Sequence, residues 1–332
     1  MFKRSYRLAL ALLLVLILVA SVTAGCAKKY PNKPITIIAP AGPGGGWDLT
    51  ARSVSKVLAD TKLVSVATTV ENQAGGGGGV ALANVVQNKK GDGYTLVVYS
   101  PPLILINLNG QSKFGYKDIT PLARLTTDYQ IIAVSAKSKY KTLKDVMDAL
   151  KKDPKSLTVG GASAPGSMDH LSFMLAASKA GVNVKDVPYV SFPDGSQLMS
   201  NLISGKIDVA STGVGETLGQ LEAKTVIGLA VTAPKRYTDP RLKDVPTLKE
   251  SGIDVTFDVW RGIFGPPDMP ADAKAYISKA LENMVKSTNW KKDVLEKYNW
   301  IDAYLPGDQF KSFLDEQNKA LGDLLKTLGL IK

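Results

Sequence analysis

One cysteine and one histidine, Cys26 and His170, bound the chemistry open to this 332-residue chain. A single histidine excludes a two-histidine metal site, and a single cysteine excludes both a thiolate cage and an intramolecular disulfide. A Ser-His-Asp arrangement would have to join His170 to Asp169 or another carboxylate, and no G-x-S-x-G elbow presents a serine to it. His170 is expected to orient a loop or to pack, with ligand contact as its other role. No catalytic residue, metal or cofactor is expected, so the chain reads as a non-enzyme.

What the sequence supplies instead is glycine beside small hydroxyls. Pro40-Ala41-Gly42-Pro43-Gly44-Gly45-Gly46-Trp47-Asp48 leads into a helical segment from Leu49, and Asn72 to Gly79 ends in five consecutive glycines. Glycine lets backbone N–H groups approach a guest without Cβ interference, and a helix N-terminus adds partial positive charge, so each loop suits an anion. Neither loop contains G-x-G-x-x-G and no G-K-[ST] occurs, which removes dinucleotide and Walker-type phosphate binding. The second half of the chain has comparable loops at Gly160 to Ser167 and Ser211 to Gly215. Asp48 is expected to cap its helix, Trp47 to line a cleft mouth or anchor packing, and Trp260 to be a core or hinge aromatic.

The elements that must position these loops alternate along the chain. Strands are expected at Ile35 to Ala39, Val66 to Val70, Leu96 to Tyr99, Ile131 to Ser135, Leu157 to Gly160, Val187 to Val190, Ile207 to Ala210 and Ile227 to Val231. Helix-period segments lie between them, which argues an α/β architecture with mostly parallel sheets. The clearest helix places Leu143, Val146, Met147 and Leu150 on one face, with Thr142 as N-cap, and Pro154 stops it. Two long amphipathic helices, at Ala271 to Lys286 and Pro306 to Leu325, are expected to form a cover, separated by Trp290 to Tyr304. In open parallel sheets ligands sit beyond the carboxyl ends of strands, where these glycine loops fall.

The N-terminus addresses the compartment. Lys3, Arg4 and Arg7 precede an apolar run from Leu8 to Ala20 and a small-residue stretch, the pattern of an export leader. Val22-Thr23-Ala24-Gly25-Cys26 resembles the bacterial lipobox, with Thr23 where leucine is commoner, so residues 1–25 are expected to be a lipoprotein signal peptide and Cys26 the lipidated first residue. An uncleaved membrane anchor and an ordinary buried thiol are the competing readings. Two acyl chains would give lasting attachment. The formal charge of +11 loses the three positive charges of the leader, leaving +8. That balance would draw anions toward a cleft or face an anionic envelope. The lysines are scattered without interleaved aromatics, so nucleic-acid binding is not expected.

Several blocks, in shared order, are similar to one family. They include Pro40 with Gly44-Gly45-x-x-Asp48 and Ala51-Arg52, Val70-Glu71-Asn72 with Gly75, Gly77 and Gly78, and Asp92-Gly93-Tyr94-Thr95-Leu96. Further on come Pro121-Leu122-Ala123-Arg124-Leu125, Gly166-Ser167 with His170-Leu171, Val187-Pro188-Tyr189, Val245-Pro246-Thr247, and Trp260 with Gly262 and Pro266. Together they resemble the extracytoplasmic solute receptors of tripartite tricarboxylate transporters, the Bug-type family. One departure is Val190-Ser191-Phe192-Pro193, where the family usually has Lys-Gly after Pro-Tyr.

The resemblance implies a two-domain periplasmic-binding-protein type II fold. Residues 26–130 with 255–332 would form domain 1 and residues 131–254 domain 2. It also implies a monomer that holds an organic carboxylate in the interdomain cleft and delivers it to membrane transporter subunits. The residues carried over as ligand-binding are Gly44, Gly45, Trp47, Ser100, Ser163, Gly166, Ser167, Tyr189, Thr212 and Gly213. An exported hydrolase on a related scaffold and a ligand-sensing adaptor lipoprotein are the rival functions.

Overall fold

The computed structural model describes residues 29–331; the leader and Cys26 lie outside the described residues. The chain opens with strand β1 (Ile35–Ala39), helix α1 (Gly46–Asp60), β2 (Thr68–Asn72), α2 (Gly79–Asn88), β3 (Thr95–Tyr99) and α3 (Pro102–Leu108). The long β4 (Thr120–Ser135) then leads to α4 (Leu143–Lys152), β5 (Val159–Gly161), α5 (Met168–Lys179), β6 (Tyr189–Ser191), α6 (Gly195–Ile203), β7 (Val209–Gly213), α7 (Val214–Glu222) and β8 (Val226–Val231). The chain returns through β9 (Asp258–Gly265) to α8 (Ala271–Lys286), β10 (Ile301–Pro306) and α9 (Gly307–Thr327).

The strands form one curled sheet in the order β2-β1-β3-β9-β4-β7-β5-β6, with β8 and β10 also paired to β4. The outer strands pair in parallel as expected, β2-β1-β3 at one end and β7-β5-β6 at the other. The centre is antiparallel, because β4 and β9 run against each other and against their other neighbours. Residues 120–129 of β4 pair with β9, and residues 130–133 pair with β7. One strand therefore belongs to both ends of the sheet.

Helices cover both faces, and the period-two alternation of the strands sorts their side chains accordingly. In β1, Ile35, Ile37 and Ala39 pack with Val54 and Val57 of α1 and Ile277 and Leu281 of α8. Ile38, between them, faces Leu82 of α2, Ile104 of α3 and Phe310 of α9 across the sheet. Leu96 and Val98 of β3 join the first set, Val97 and Tyr99 the second. Each such side chain, fully buried, contributes about 1.5–3 kcal/mol of transfer free energy.

The α4 helix has the expected cap: Thr142 Oγ1 accepts from Asp145 N, and Asp145 accepts from Thr142 N in return. Several strands depart from expectation, and β6 and β7 each start two residues later than expected. The β2 strand starts at Thr68 rather than Val66, because its parallel register begins at Ile35↔Thr68. The β4 strand starts at Thr120 rather than Ile131. Strands β9, which carries the expected core aromatic Trp260, and β10, within the expected spacer Trp290 to Tyr304, are not among the expected strands.

The chain passes between the two ends of the sheet at two adjacent points, and Thr232 ties them together. Gln130 N donates to Thr232 Oγ1 at 2.9 Å, Thr232 Oγ1 donates to Phe257 O at 2.5 Å, and Thr232 N donates to Gln130 O at 2.9 Å. Among the described residues no helix is long and apolar enough to cross a membrane.

Candidate functional site

Loops from both ends of the sheet enclose a cavity of about 650 Å³. From the first end come Gly45, Gly46 and Trp47 at the start of α1, the glycines 75–78, and Ser100 after β3. From the second come Ser163, Ser167 and Asp169 around the start of α5, Phe192 after β6, and Glu216 in α7. Gln130 and Arg261 line it from the central strands. Such a volume, walled by convergent polar groups at a sheet's strand ends, has the scale of a small-molecule site.

Local sequence explains the wall. Gly75, Gly76, Gly77 and Gly78 have φ of 131°, 57°, 62° and 96°, a run of left-handed backbone that a side-chain-bearing residue would strain to adopt. Gly46 is required for closeness: a Cβ there would overlap the guanidinium of Arg261. Gly45 caps α1 without a side-chain hydrogen bond, so the amides of the first turn are left to other partners. Trp47 lines the cavity and is also anchored, its Nε1 donating to Ser100 Oγ at 2.8 Å and its ring lying edge-on to Tyr99. On the other side, Ser163 Oγ accepts from Asp169 N at 3.1 Å, and Asp169 Oδ2 accepts from Ala162 N at 2.8 Å.

Of the residues singled out from sequence, Gly45, Trp47, Ser100, Ser163 and Ser167 are on the cavity wall. The other five stand behind it. Gly44 N donates to Asp48 Oδ2, Gly166 N to His170 Nδ1, Tyr189 Oη to Ser163 O, and Thr212 Oγ1 to Glu216 Oε2. Gly213 lies so close to Asp128 and Glu216 that a Cβ would stand 3.0 Å from Asp128 Oδ2. His170 takes the loop-orienting role, with its ring edge-on to Tyr189 and burial lowering its pKa to about 4, so it is neutral near pH 7. Asp48 holds the loop before α1 as a cap does, and Trp260 is fully buried in the core.

The sequence reading missed the charged members. Asp128, 0% exposed, accepts from Arg261 Nη2 at 3.0 Å and from Trp300 Nε1 at 3.1 Å. Burial raises its pKa to about 6 against the opposing pull of Arg261. Arg261 also stacks on the Trp300 ring, 5.0 Å from its centroid, and Glu216 Oε1 stands 3.9 Å from its Nη2. A usable signal was Arg261 itself, the one cation inside the apolar run Val259 to Phe264. Asp128, Asp169 and Glu216 carry no local signal; only the fold brings them together. No group of three or more His, Cys, Asp and Glu among the described residues could hold a metal ion.

With this geometry in place, the likenesses to known proteins are informative. The family model described as "Tripartite tricarboxylate transporter family receptor" matches residues 50–330. A UPF0065 protein of Agrobacterium vitis is 31% identical over 262 residues, spanning 78% of this chain and 73% of its own. A UPF0065 protein of Pseudomonas sp. strain P51 is 29% identical over 266 residues, spanning 76% and 75%. In fold, the chain is similar to MatC of Rhodopseudomonas palustris, solved with bound malate, at a TM-score of 0.78, 22% identity and coverage of 89% and 100%. It is also similar to an R. palustris protein solved with adipate, at a TM-score of 0.81, 21% identity and coverage of 91% and 99%.

Proposed function

Since this chain belongs to the tripartite tricarboxylate transporter receptor family, we propose that it is a non-catalytic, extracytoplasmic solute receptor that captures an organic carboxylate in the cavity and hands it to a membrane transporter. The observation that carries this reading is the convergence of glycine- and serine-rich loops from both ends of the sheet on one cavity. A carboxylate there would be gripped by backbone N–H groups at the starts of α1 and α5, by the glycine run 75–78, and by the hydroxyls of Ser100, Ser163 and Ser167. Relatives in fold that were solved with malate and adipate support the same chemical class.

Residues 26–130 with 255–332 would move as one domain and residues 131–254 as the other. The two chain passages at Gln130 and Phe257, which Thr232 ties together, support a hinge there. The loop Gly42–Gly44 lies against Pro193–Ser196 of the other end, which supports closure of the two ends on each other as the motion that would trap a guest. Lipid on Cys26 would keep this receptor, a monomer, at the outer face of the cell membrane.

Calorimetry against a panel of mono-, di- and tricarboxylates tests the central claim. At least one should bind with micromolar or tighter affinity, about −8 kcal/mol. Absence of heat with every carboxylate overturns it. Mass spectrometry of the membrane-extracted protein should find a diacylglycerol thioether on Cys26, and Cys26→Ser should release the protein from the membrane; a Cys26→Ser protein still held there would refute the tether.

A further inference from the structure

The wall of the cavity carries more acid than base, an unusual property for a place meant to hold an anion. Asp169 and Glu216 line it and Asp128 lies behind them, while Arg261 is the cation that Asp128 and Glu216 share. Arg261 is committed elsewhere: Nη2 donates to Asp128, and Glu216 is the next carboxylate, at 3.9 Å. Asp169, 6% exposed, has no cation within ion-pairing distance. Ala162 N donates to its Oδ2 at 2.8 Å, and with the Gln130 amide turned so that its nitrogen faces Asp169, that nitrogen donates to Oδ1 at 3.0 Å.

Glu216 makes a connection across the cavity. It sits on α7 at the second end and accepts from Thr212 Oγ1, and the dipole of the Gly46 amide at the start of α1 on the first end favours its charge. An internal carboxylate therefore already occupies part of the helix N-terminus that suits a guest. If all were ionised, three largely buried negative charges would have one positive charge near them, and an anionic guest would add a further negative charge. Burying charges without partners is strongly unfavourable, and the physical resolution is to neutralise one.

We propose that the cavity wall contains a proton site: the Asp169–Glu216 pair holds one proton between them, and capture of a carboxylate guest completes its occupancy. Burial and the nearby Glu216 charge push Asp169 well above the ordinary carboxyl range, and burial raises Glu216 in spite of Arg261. The groups facing the pair are Asp128 on β4, Arg261 on β9, the Tyr189 hydroxyl on β6, neutral His170 on α5, and Asp194 at the head of α6. Arg261 alone among them is cationic near neutral pH. The inference rests on the receptor reading only for the guest; the proton site itself does not depend on it.

The first test uses the free protein. Carboxyl ¹³C NMR on Asp- and Glu-labelled protein should show at least one member of the pair titrating well above the ordinary values of about 3.9 and 4.3. If both titrate at those values, the proposal is overturned whatever the protein binds. The second test is calorimetry with malate and adipate as probes in phosphate and in Tris at pH 8. Binding should take up close to one proton, and affinity should fall up to about tenfold per pH unit above the pair's own titration. In Asp169→Asn and Glu216→Gln the uptake should drop toward zero and the pH dependence should flatten. Equal heats in both buffers for the unmodified protein, or uptake unchanged in both variants, would overturn the coupling. If the pair titrates high but no carboxylate binds, the receptor reading fails and the proton site stands.

Discussion

Two aspartates hold matching places in the two halves of the molecule and meet opposite fates. Asp48 lies in the first turn of α1 and Asp169 in the first turn of α5, each just after a glycine-rich loop whose amide its carboxylate accepts, Gly44 N for one and Ala162 N for the other. Burial opposes ionisation of Asp48, but hydrogen bonds from Arg52, Gly44 and Asn72 outweigh it and hold its carboxyl below the ordinary range. Asp169 has no equivalent of Arg52, and burial with Glu216 nearby drives it the other way. The same local device becomes a fixed negative cap on one side and a titratable wall on the other. What differs is which charges the rest of the fold brings up to it.

Breaking the cation that the acidic wall shares should have the largest effect. Arg261→Met leaves Asp128 and Glu216 buried without their counter-ion, and loss of one member of a buried pair costs about 3–5 kcal/mol. Urea unfolding at pH 7 reads this; a cost below about 1 kcal/mol would show that the wall is neutral already. Gly46→Ala comes next, because the added methyl group overlaps the Arg261 guanidinium and forces a shift, at about 1–3 kcal/mol of overpacking. The same melt checks it, and an unchanged midpoint would mean that α1 can move away freely.

A paired experiment then sharpens the comparison of the two aspartates through opposite pH trends. Asp48 is depressed when folded, so its stabilisation is full above the ordinary value of about 3.9 and is lost as pH falls through its lower folded value. Asp48→Asn should therefore cost about 1 kcal/mol or less at pH 7, given a half-exposed Arg52, and less still in acid. Asp169 is raised when folded, so the folded state is favoured below that ordinary value and loses ground as pH rises through the raised one. Asp169→Asn should gain on the unmodified protein as pH rises from 5 to 8. Parallel trends for the two variants would erase the distinction. An effect of similar size belongs to Ser100→Ala, which removes the acceptor of Trp47 Nε1 and should cost about 1 kcal/mol with a loosened Trp47 fluorescence signature.

Much of this architecture is legible before any coordinates. The α8 helix, Ala271–Lys286, follows from its apolar period, the α4 cap from Thr142 and Asp145, and β1 from a bounded β-branched run. The antiparallel centre is not. Strand β9 pairs residues 120–129 with 258–265, a separation over which no local pattern speaks, and β10 presents an exposed and half-buried sequence with no apolar alternation to mark it. The site divides likewise. Glycine loops announce themselves because backbone freedom is a property of the residue, whereas Asp128, Glu216 and Arg261 acquire meaning only when positions far apart in the chain converge.

Thr232 has a mechanical corollary. Because one hydroxyl joins both passages between the ends of the sheet, those passages cannot slide lengthwise past each other without sacrificing the bonds to Gln130 and Phe257. If residues 131–254 move as the proposed second domain, rotation about a line near this threonine would keep both bonds. Side chains close to that line, Asp128 and Gln130, would barely be displaced, while the tips at Gly44 and Ser196 would sweep the widest arc. A door hung this way would swing without shearing its own hinge.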